Sequence, residues 1–313
     1  MSENMIKEPS GVLIVNKPMG MTSHDVVGAV RKLYGTKRVG HTGTLDPMAT
    51  GVLVVLVGRA AKAAEYLSSA SKKYRAVMRL GITTDTEDTT GETLTVCENI
   101  PDAARVKEIS EQFVGEIMQV PPMYSALKVG GKKLCDLARQ GISVERQARP
   151  ITVYSLTVTE TESESDYILG VHCSGGTYIR TLCADIGARL GCGGAMAALE
   201  RTEASGFDIS EAYDIERLKA MPQSELLSAL LPTEKLFCEY DVIKLSEFYE
   251  KLFRSGCEIY QKKLPTDHEV GKKLRVYGKK GFFALAEVIP PERCKFPELG
   301  SAVKSLKIFD LDG

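Results

Sequence analysis

Gly40-His41-Thr42-Gly43-Thr44-Leu45-Asp46-Pro47-Met48-Ala49-Thr50-Gly51 runs straight into Val52-Leu53-Val54-Val55-Leu56-Val57. The second half is a continuous β-branched and apolar run, which reads as a buried strand. The first half is rich in glycine and broken by proline, a composition suited to close backbone approach rather than to filling a core. Asp46 before Pro47 is a natural turn former. It is also flanked by His41 and by the hydroxyls of Thr42 and Thr44, which can reach a ligand. A carboxylate held in this way fits a nucleophile or a general base.

Upstream, Gly11 to Asn16 reads as a short buried strand and Lys17-Pro18-Met19-Gly20 as a turn. Thr22, Ser23 and Asp25 are N-cap candidates for a helix whose apolar face is Val26, Val27, Val30 and Leu33. Downstream, Tyr74 to Leu80, Ile151 to Thr159 and Asp166 to Cys173 read as strands, and Ala103 to Phe113 as a helix. That ordering predicts an α+β protein with a mixed sheet. The texture changes after Leu231-Pro232-Thr233. An amphipathic stretch from Leu245 to Phe253 is followed by short strands near Leu274–Val276, Phe282–Val288 and Val303–Phe309. We therefore divide the chain into residues 1–234 and a small β-rich, barrel-like unit at 235–313.

Over 313 residues the net charge is −1, which by itself argues against a nucleic-acid partner. The distribution is less even. Basic residues gather at Arg31–Lys32, Lys37–Arg38, Lys72–Lys73–Arg75, Lys128–Lys132–Lys133, Arg146–Arg149 and Lys272–Lys273–Arg275, and acids in Thr84–Glu92 and Glu160–Asp166. Such runs ordinarily mark solvated faces. The N-terminus has no signal-peptide pattern and no apolar run is long enough to span a bilayer, so the cytoplasm is the expected location. The eight cysteines are scattered without a CxxC pair, which predicts no zinc ribbon or disulfide framework and mostly buried thiols. No Rossmann or Walker glycine loop is present.

A third constellation is Cys173-Ser174-Gly175-Gly176-Thr177-Tyr178-Ile179-Arg180. A glycine pair entering a helix resembles an anion cradle, and Arg180 would stand at the loop–helix junction. Together with Lys73-Tyr74, with Gln119-Val-Pro-Pro-Met-Tyr-Ser-Ala-Leu-Lys128 and with Leu199-Glu-Arg201-Thr202, these segments resemble the ordered signature of the TruB family of pseudouridine synthases. The resemblance runs from about Gly11 to Phe207. The tail resembles, more weakly, the PUA domain that often follows. Gly191-Cys-Gly-Gly-Ala-Met196 departs from the commonest bacterial pattern.

The resemblance implies a catalytic fold with a mixed, largely antiparallel central sheet and flanking helices. It also implies an isomerisation of uridine to pseudouridine at position 55 in the T loop of tRNA. That reaction breaks N1–C1′ and joins C5 to the same carbon, so it calls for no cofactor and no metal. Asp46 matches the family's nucleophile, Arg180 its active-site arginine and Tyr74 its active-site tyrosine, whose ring would lie against the base. A guanidinium beside a carboxylate stabilises its charged form. His41 matches a histidine that enters the RNA loop. Tyr178 and Leu199 would line the pocket, Lys128 and Lys132 would meet phosphates, and Lys17, Pro18, Gly43 and Thr44 would support the loop. The partner is the tRNA T stem-loop, with no membrane and no protein partner, and the chain would be a monomer. Two rivals remain. A base-exchanging transglycosylase would need clustered Cys and His for zinc, and an RNA chaperone of the same fold would do no chemistry.

Overall fold

The computed structural model describes residues 8–67 and 69–310. Eight strands form the spine of a large mixed sheet. In spatial order they are Tyr213–Asp214, Gly11–Lys17, Thr50–Val57, Gly194–Ala204, Lys72–Leu80, Asp166–Cys173, Arg149–Glu160 and Gly115–Gln119. Val39–His41 adds to Thr50–Val57, and Phe207–Asp208 adds to Gly194–Ala204. Two pairings are parallel, Gly11–Lys17 with Tyr213–Asp214 and Gly194–Ala204 with Thr50–Val57. The others are antiparallel, so the sheet is mixed and largely antiparallel, as expected.

The run Val52–Val57 is buried on both faces, which is why it lacks alternation. One face packs on the helix Ser23–Tyr34 through Val26, Val27 and Val30. That helix starts where capping chemistry allows it. The Thr22 hydroxyl accepts from the Asp25 amide while the Asp25 carboxylate accepts from the Thr22 amide, a reciprocal box. The helix Ile179–Leu190 covers the other half of the sheet, burying Ile179, Leu182, Cys183 and Ile186 against Ala76, Met78, Leu169 and Val171.

That second helix lies unusually close to the sheet, and the reason is a glycine pair. A Cβ at Gly187 would stand 2.2 Å from the Gly194 nitrogen, and one at Gly194 would stand 2.6 Å from the Cys183 carbonyl oxygen. The atypical Gly191–Gly194 run is thus a left-handed helix stop at Gly191 followed by the contact that sets the depth of the helix.

A second sheet has the order Asp241–Lys244, Lys273–Gly278, Gly281–Ile289, Ala302–Ile308 and Ile259–Tyr260. It has its own core of Ile243, Phe253, Leu274, Val276, Phe283 and Val303. It is also fastened to the first sheet. Phe237, Leu285 and Phe309 join Val12, Val52, Leu56 and Phe207 in one cluster, and the Tyr66 hydroxyl donates to the Leu306 carbonyl at 3.1 Å. No helix among the described residues is long and apolar enough to cross a membrane.

One expectation needs correction, and one basic cluster is tied down within the protein. Cys173, Cys183, Cys192 and Cys294 are buried, but Cys238 and Cys257 are exposed and Cys97 and Cys135 are intermediate, so the thiols are not mostly buried. The Lys272–Arg275 cluster is not a free basic patch. Lys272 pairs with Asp241 at 2.5 Å, and Arg275 donates to the carbonyls of Tyr240 and Cys238. It ties the preceding connection to the second sheet.

Gly187→Ala forces the helix off the sheet. Overpacking of this kind costs about 1–3 kcal/mol, so urea unfolding should show a midpoint lowered accordingly; an unchanged midpoint would refute the close-packing argument.

Candidate active site

Between the strands Val39–His41 and Thr50–Val57 the backbone is irregular and pressed against a core, so its carbonyls must find donors inside the protein. Three buried side chains supply them. The Lys17 ammonium, at the end of the first strand, donates to Pro18 O at 2.9 Å, Met21 O at 2.7 Å and Pro47 O at 3.3 Å. The Ser23 hydroxyl accepts from the Leu45 amide at 2.9 Å and donates to the Leu45 carbonyl at 3.1 Å. Arg201 donates from Nε to Val52 O at 2.7 Å, and from its two terminal nitrogens to Thr44 O at 3.4 Å and Gly43 O at 3.0 Å. The Gly20 amide adds a bond to Pro47 O at 2.8 Å. Asp46 is therefore fixed from both sides, and its side chain remains 37% exposed.

Gly51 completes the anchoring. Its φ is +99° and a Cβ there would lie 2.3 Å from the Arg201 carbonyl oxygen. Only glycine lets the loop enter its strand beside Arg201.

Opposite the loop stands Arg180, whose side chain is 5% exposed. Its Nε lies 3.0 Å from Asp46 Oδ2. One terminal nitrogen donates to Thr86 O at 2.9 Å and lies 3.6 Å from Asp88 Oδ2. The other donates to Tyr124 O at 2.7 Å. Gln119 holds the residues leading into this helix, since its side-chain amide donates to Tyr178 O at 3.0 Å and its oxygen accepts from the Tyr178 amide at 2.9 Å. In the preceding turn, part of the backbone that the sequence suggested as an anion cradle is engaged within the protein. The Ser174 and Gly175 amides are already committed to Thr152 O and Ser69 O, so the segment works as a fixed turn.

Tyr74 lies in the apolar wall beside Asp46 with Leu45, Ala49, Ile179 and Leu199. Burial pushes its phenol up, against the opposing pull of nearby Arg201. The Tyr178 phenol is raised too, by burial, with Arg180 opposing and Asp46 reinforcing. Lys17 is lowered to about 8 by burial, with Asp46 acting against that shift. Lys72, next to Gly43 and Arg201, is likewise lowered to about 8 by burial. His41 is half-buried at the end of the short strand Val39–His41, and its Nδ1 has no hydrogen-bond partner. Burial and then Arg201 hold its pKa down.

The structure thus gathers Lys17, Pro18, Gly43, Thr44, Asp46, Tyr74, Tyr178, Arg180 and Leu199 around one cleft wall. Lys128 and Lys132 stand apart, exposed on the hairpin Lys128–Val129 and Lys132–Lys133. The chain connects that hairpin to the cleft through Tyr124. Arg201, Gln119, Thr86, Glu87 and Asp88 carry parts of the site that the sequence reading did not assign. The acidic run Thr84–Glu92 is a solvated face only in part, with Asp85 and Glu92 exposed. Asp88 is 5% exposed, and its Oδ1 accepts from Thr86, from the Thr90 amide and from the Thr90 hydroxyl.

Comparison with known proteins follows the same lines. A model described as the TruB family pseudouridylate synthase N-terminal domain matches residues 31–179, and one described as the tRNA pseudouridylate synthase B C-terminal domain matches residues 180–237. The chain is 46% identical over 281 residues to tRNA pseudouridine synthase B of Alkaliphilus oremlandii, covering 89% of this chain and 93% of that protein. It is 41% identical over 290 residues to the protein of the same name from Syntrophotalea carbinolica, covering 90% and 92%. Among solved structures it superposes on a chain of a Cbf5-Nop10-Gar1 complex with a TM-score of 0.72 at 25% identity, covering 96% of this chain and 85% of that one.

Two measurements test the geometry. Arg201→Met strands the carbonyls of Gly43, Thr44 and Val52, and each buried acceptor left unpaired costs about 1–3 kcal/mol. Denaturant unfolding should therefore lose roughly 3 kcal/mol or more, and a loss below about 1 kcal/mol would contradict the anchoring role. Asp185, on the Arg180 helix, is raised from 3.8 to about 6 by burial and then by Glu87. Between about pH 4 and 6 the folded protein keeps a proton that the unfolded chain has released, so this group's contribution to stability falls as pH rises through that window. Asp185→Asn should be more stable than wild type by roughly 1–2 kcal/mol at pH 7 and equal to it near pH 4. Parallel stability curves would be the contrary result.

Proposed function

We propose that this chain, which belongs to the TruB family of pseudouridylate synthases, isomerises the uridine at position 55 in the T loop of tRNA, with Asp46 as the nucleophile. The observation that carries this reading is the pairing of a partly exposed carboxylate with a buried guanidinium at 3.0 Å. Arg180 places a fixed positive charge beside the carboxylate, and the fixed loop removes the entropy cost of aiming it. The names of the relatives support tRNA as the substrate.

In this reading the target base leaves its stack and enters the cleft. Tyr74 and Leu199 form the apolar wall against which it lies, and Tyr178 borders it. His41 reaches into the vacated RNA loop. Being held neutral by burial suits it to stacking and hydrogen bonding more than to phosphate contact. Lys128 and Lys132, exposed on their hairpin, meet backbone phosphates and position the stem without reading sequence. Lys17, Pro18, Gly43 and Thr44 act through the loop they brace.

The bond changes balance within the substrate. N1–C1′ breaks, C1′–C5 forms, the C5 hydrogen leaves as a proton and the freed N1 takes up a proton, so no cosubstrate enters. We place the reaction in residues 1–234, assign residues 235–313 to a PUA-like RNA-binding domain, and take the working enzyme to be a cytoplasmic monomer.

A tRNA transcript tritiated at uridine C5, incubated with the pure protein, should release tritium from position 55. Asp46→Asn should abolish release, and Arg180→Lys should lose at least about tenfold, because a point charge cannot pair with a carboxylate and two carbonyls in one plane. Binding without release by the wild type would favour an RNA chaperone. Release that persists in Asp46→Asn would remove Asp46 from the chemistry.

A further inference from the structure

Arg180 takes its acceptors from a turn, and the residue at the centre of that turn has no role in the reading above. Glu87 sits between Thr86, whose carbonyl accepts from Arg180, and Asp88, whose carboxylate faces it. Its φ is +63°, in the left-handed region that residues other than glycine rarely adopt, so surrounding contacts must hold it there. Those contacts are specific. The Met196 amide donates to the Glu87 carbonyl at 3.0 Å, and the Thr89 amide donates to the Met196 carbonyl at 3.0 Å. The turn is thereby stitched to the strand Gly194–Ala204. The Glu87 carboxylate accepts the hydroxyl of Thr181, the residue that follows Arg180 on its helix.

These bonds close a ring. Arg180 reaches across to residues 86 and 88, and residue 87 reaches back to residue 181. We propose that Glu87 is a positioning residue: by clasping Thr181 it locks the turn in register with the Arg180 helix, so that the guanidinium is aimed at Asp46. Burial raises the pKa of the Glu87 carboxyl, opposed by the Thr181 hydrogen bond, Arg180 and Arg146 and reinforced by Asp88. Asp185 feels the same carboxylate from one turn further along the helix. The assignment rests on Asp46 and Arg180 being the catalytic pair.

The test uses the full chain and the tritiated transcript in single-turnover mode, with RNA binding measured separately. Glu87→Ala and Thr181→Val should each slow release about tenfold, the scale of one lost orienting hydrogen bond, and leave the transcript's Kd within about twofold. The double variant should be no slower than either single one, since both break the same link. Glu87→Gln and Thr181→Ser keep an acceptor and a donor and should restore most of the rate. Full-speed release by a folded Glu87→Ala or Thr181→Val, multiplied losses in the double variant, or a loss confined to Kd would overturn the proposal. If Glu87→Ala does not fold, the Thr181 pair carries the test alone. A wild type that releases no tritium would instead refute the functional reading.

Discussion

A guanidinium cannot lose its charge in a protein, so one that is 95% removed from water must be surrounded by acceptors. Arg180 meets this demand with the carbonyls of Thr86 and Tyr124 and the carboxylates of Asp46 and Asp88. Those groups come from three separate stretches of chain. The loop before the buried strand, the turn at Thr84–Thr90 and the segment after Gln119 are all organised by one side chain. Asp46, with its side chain 37% exposed, is an acceptor that solvent can also reach.

The opposite side of the cleft answers a different constraint. An irregular loop inside a core exposes carbonyls that nothing in its own backbone satisfies, and Lys17, Ser23 and Arg201 supply the donors. Two of these are cations, buried without a paired carboxylate of their own apart from the influence of Asp46 on Lys17. Their burial is tolerated because each donates to three backbone carbonyls, Lys17 to those of Pro18, Met21 and Pro47 and Arg201 to those of Gly43, Thr44 and Val52. The result is a loop tied to its surroundings by side-chain bonds at Gly43, Thr44, Leu45 and Pro47. On the far side, the Gly187–Gly194 contact fixes how deep the Arg180 helix sits. The distance across the pair is therefore set by the sheet and by packing, not by loop flexibility.

Much of this was legible in the chain. Buried strands announced themselves as apolar runs, the cap at Thr22 as a polar cluster before a helical period, and the Asp46 loop as glycine and proline around a carboxylate. The tail showed as a change of texture. What stayed hidden depended on contacts distant in sequence. Arg201 stands in the sequence only as part of a signature segment, and the register shift between Arg201 and Glu203 breaks the alternation that would mark it as internal. Asp88 and Glu87 sat in an acidic run whose commonest meaning is a solvated face, and only the arrival of Arg180 and Thr181 from the helix makes them interior. Gln119 gave no local signal of clamping Tyr178. The glycine pair before Arg180 suggested an anion cradle, but the Ser174 and Gly175 amides bond to the carbonyls of Thr152 and Ser69.

The most direct test is a crystal structure of the protein with a T stem-loop RNA whose target uridine is replaced by a non-reactive analogue, reading the Arg180 to Asp46 separation and the position of the flipped base. The account requires the pair to remain within ion-pair reach, under about 4 Å, with the base against Tyr74 and its sugar facing Asp46. Arg180 turned away onto a phosphate, with Asp46 left unpaired and distant from the sugar, would contradict it.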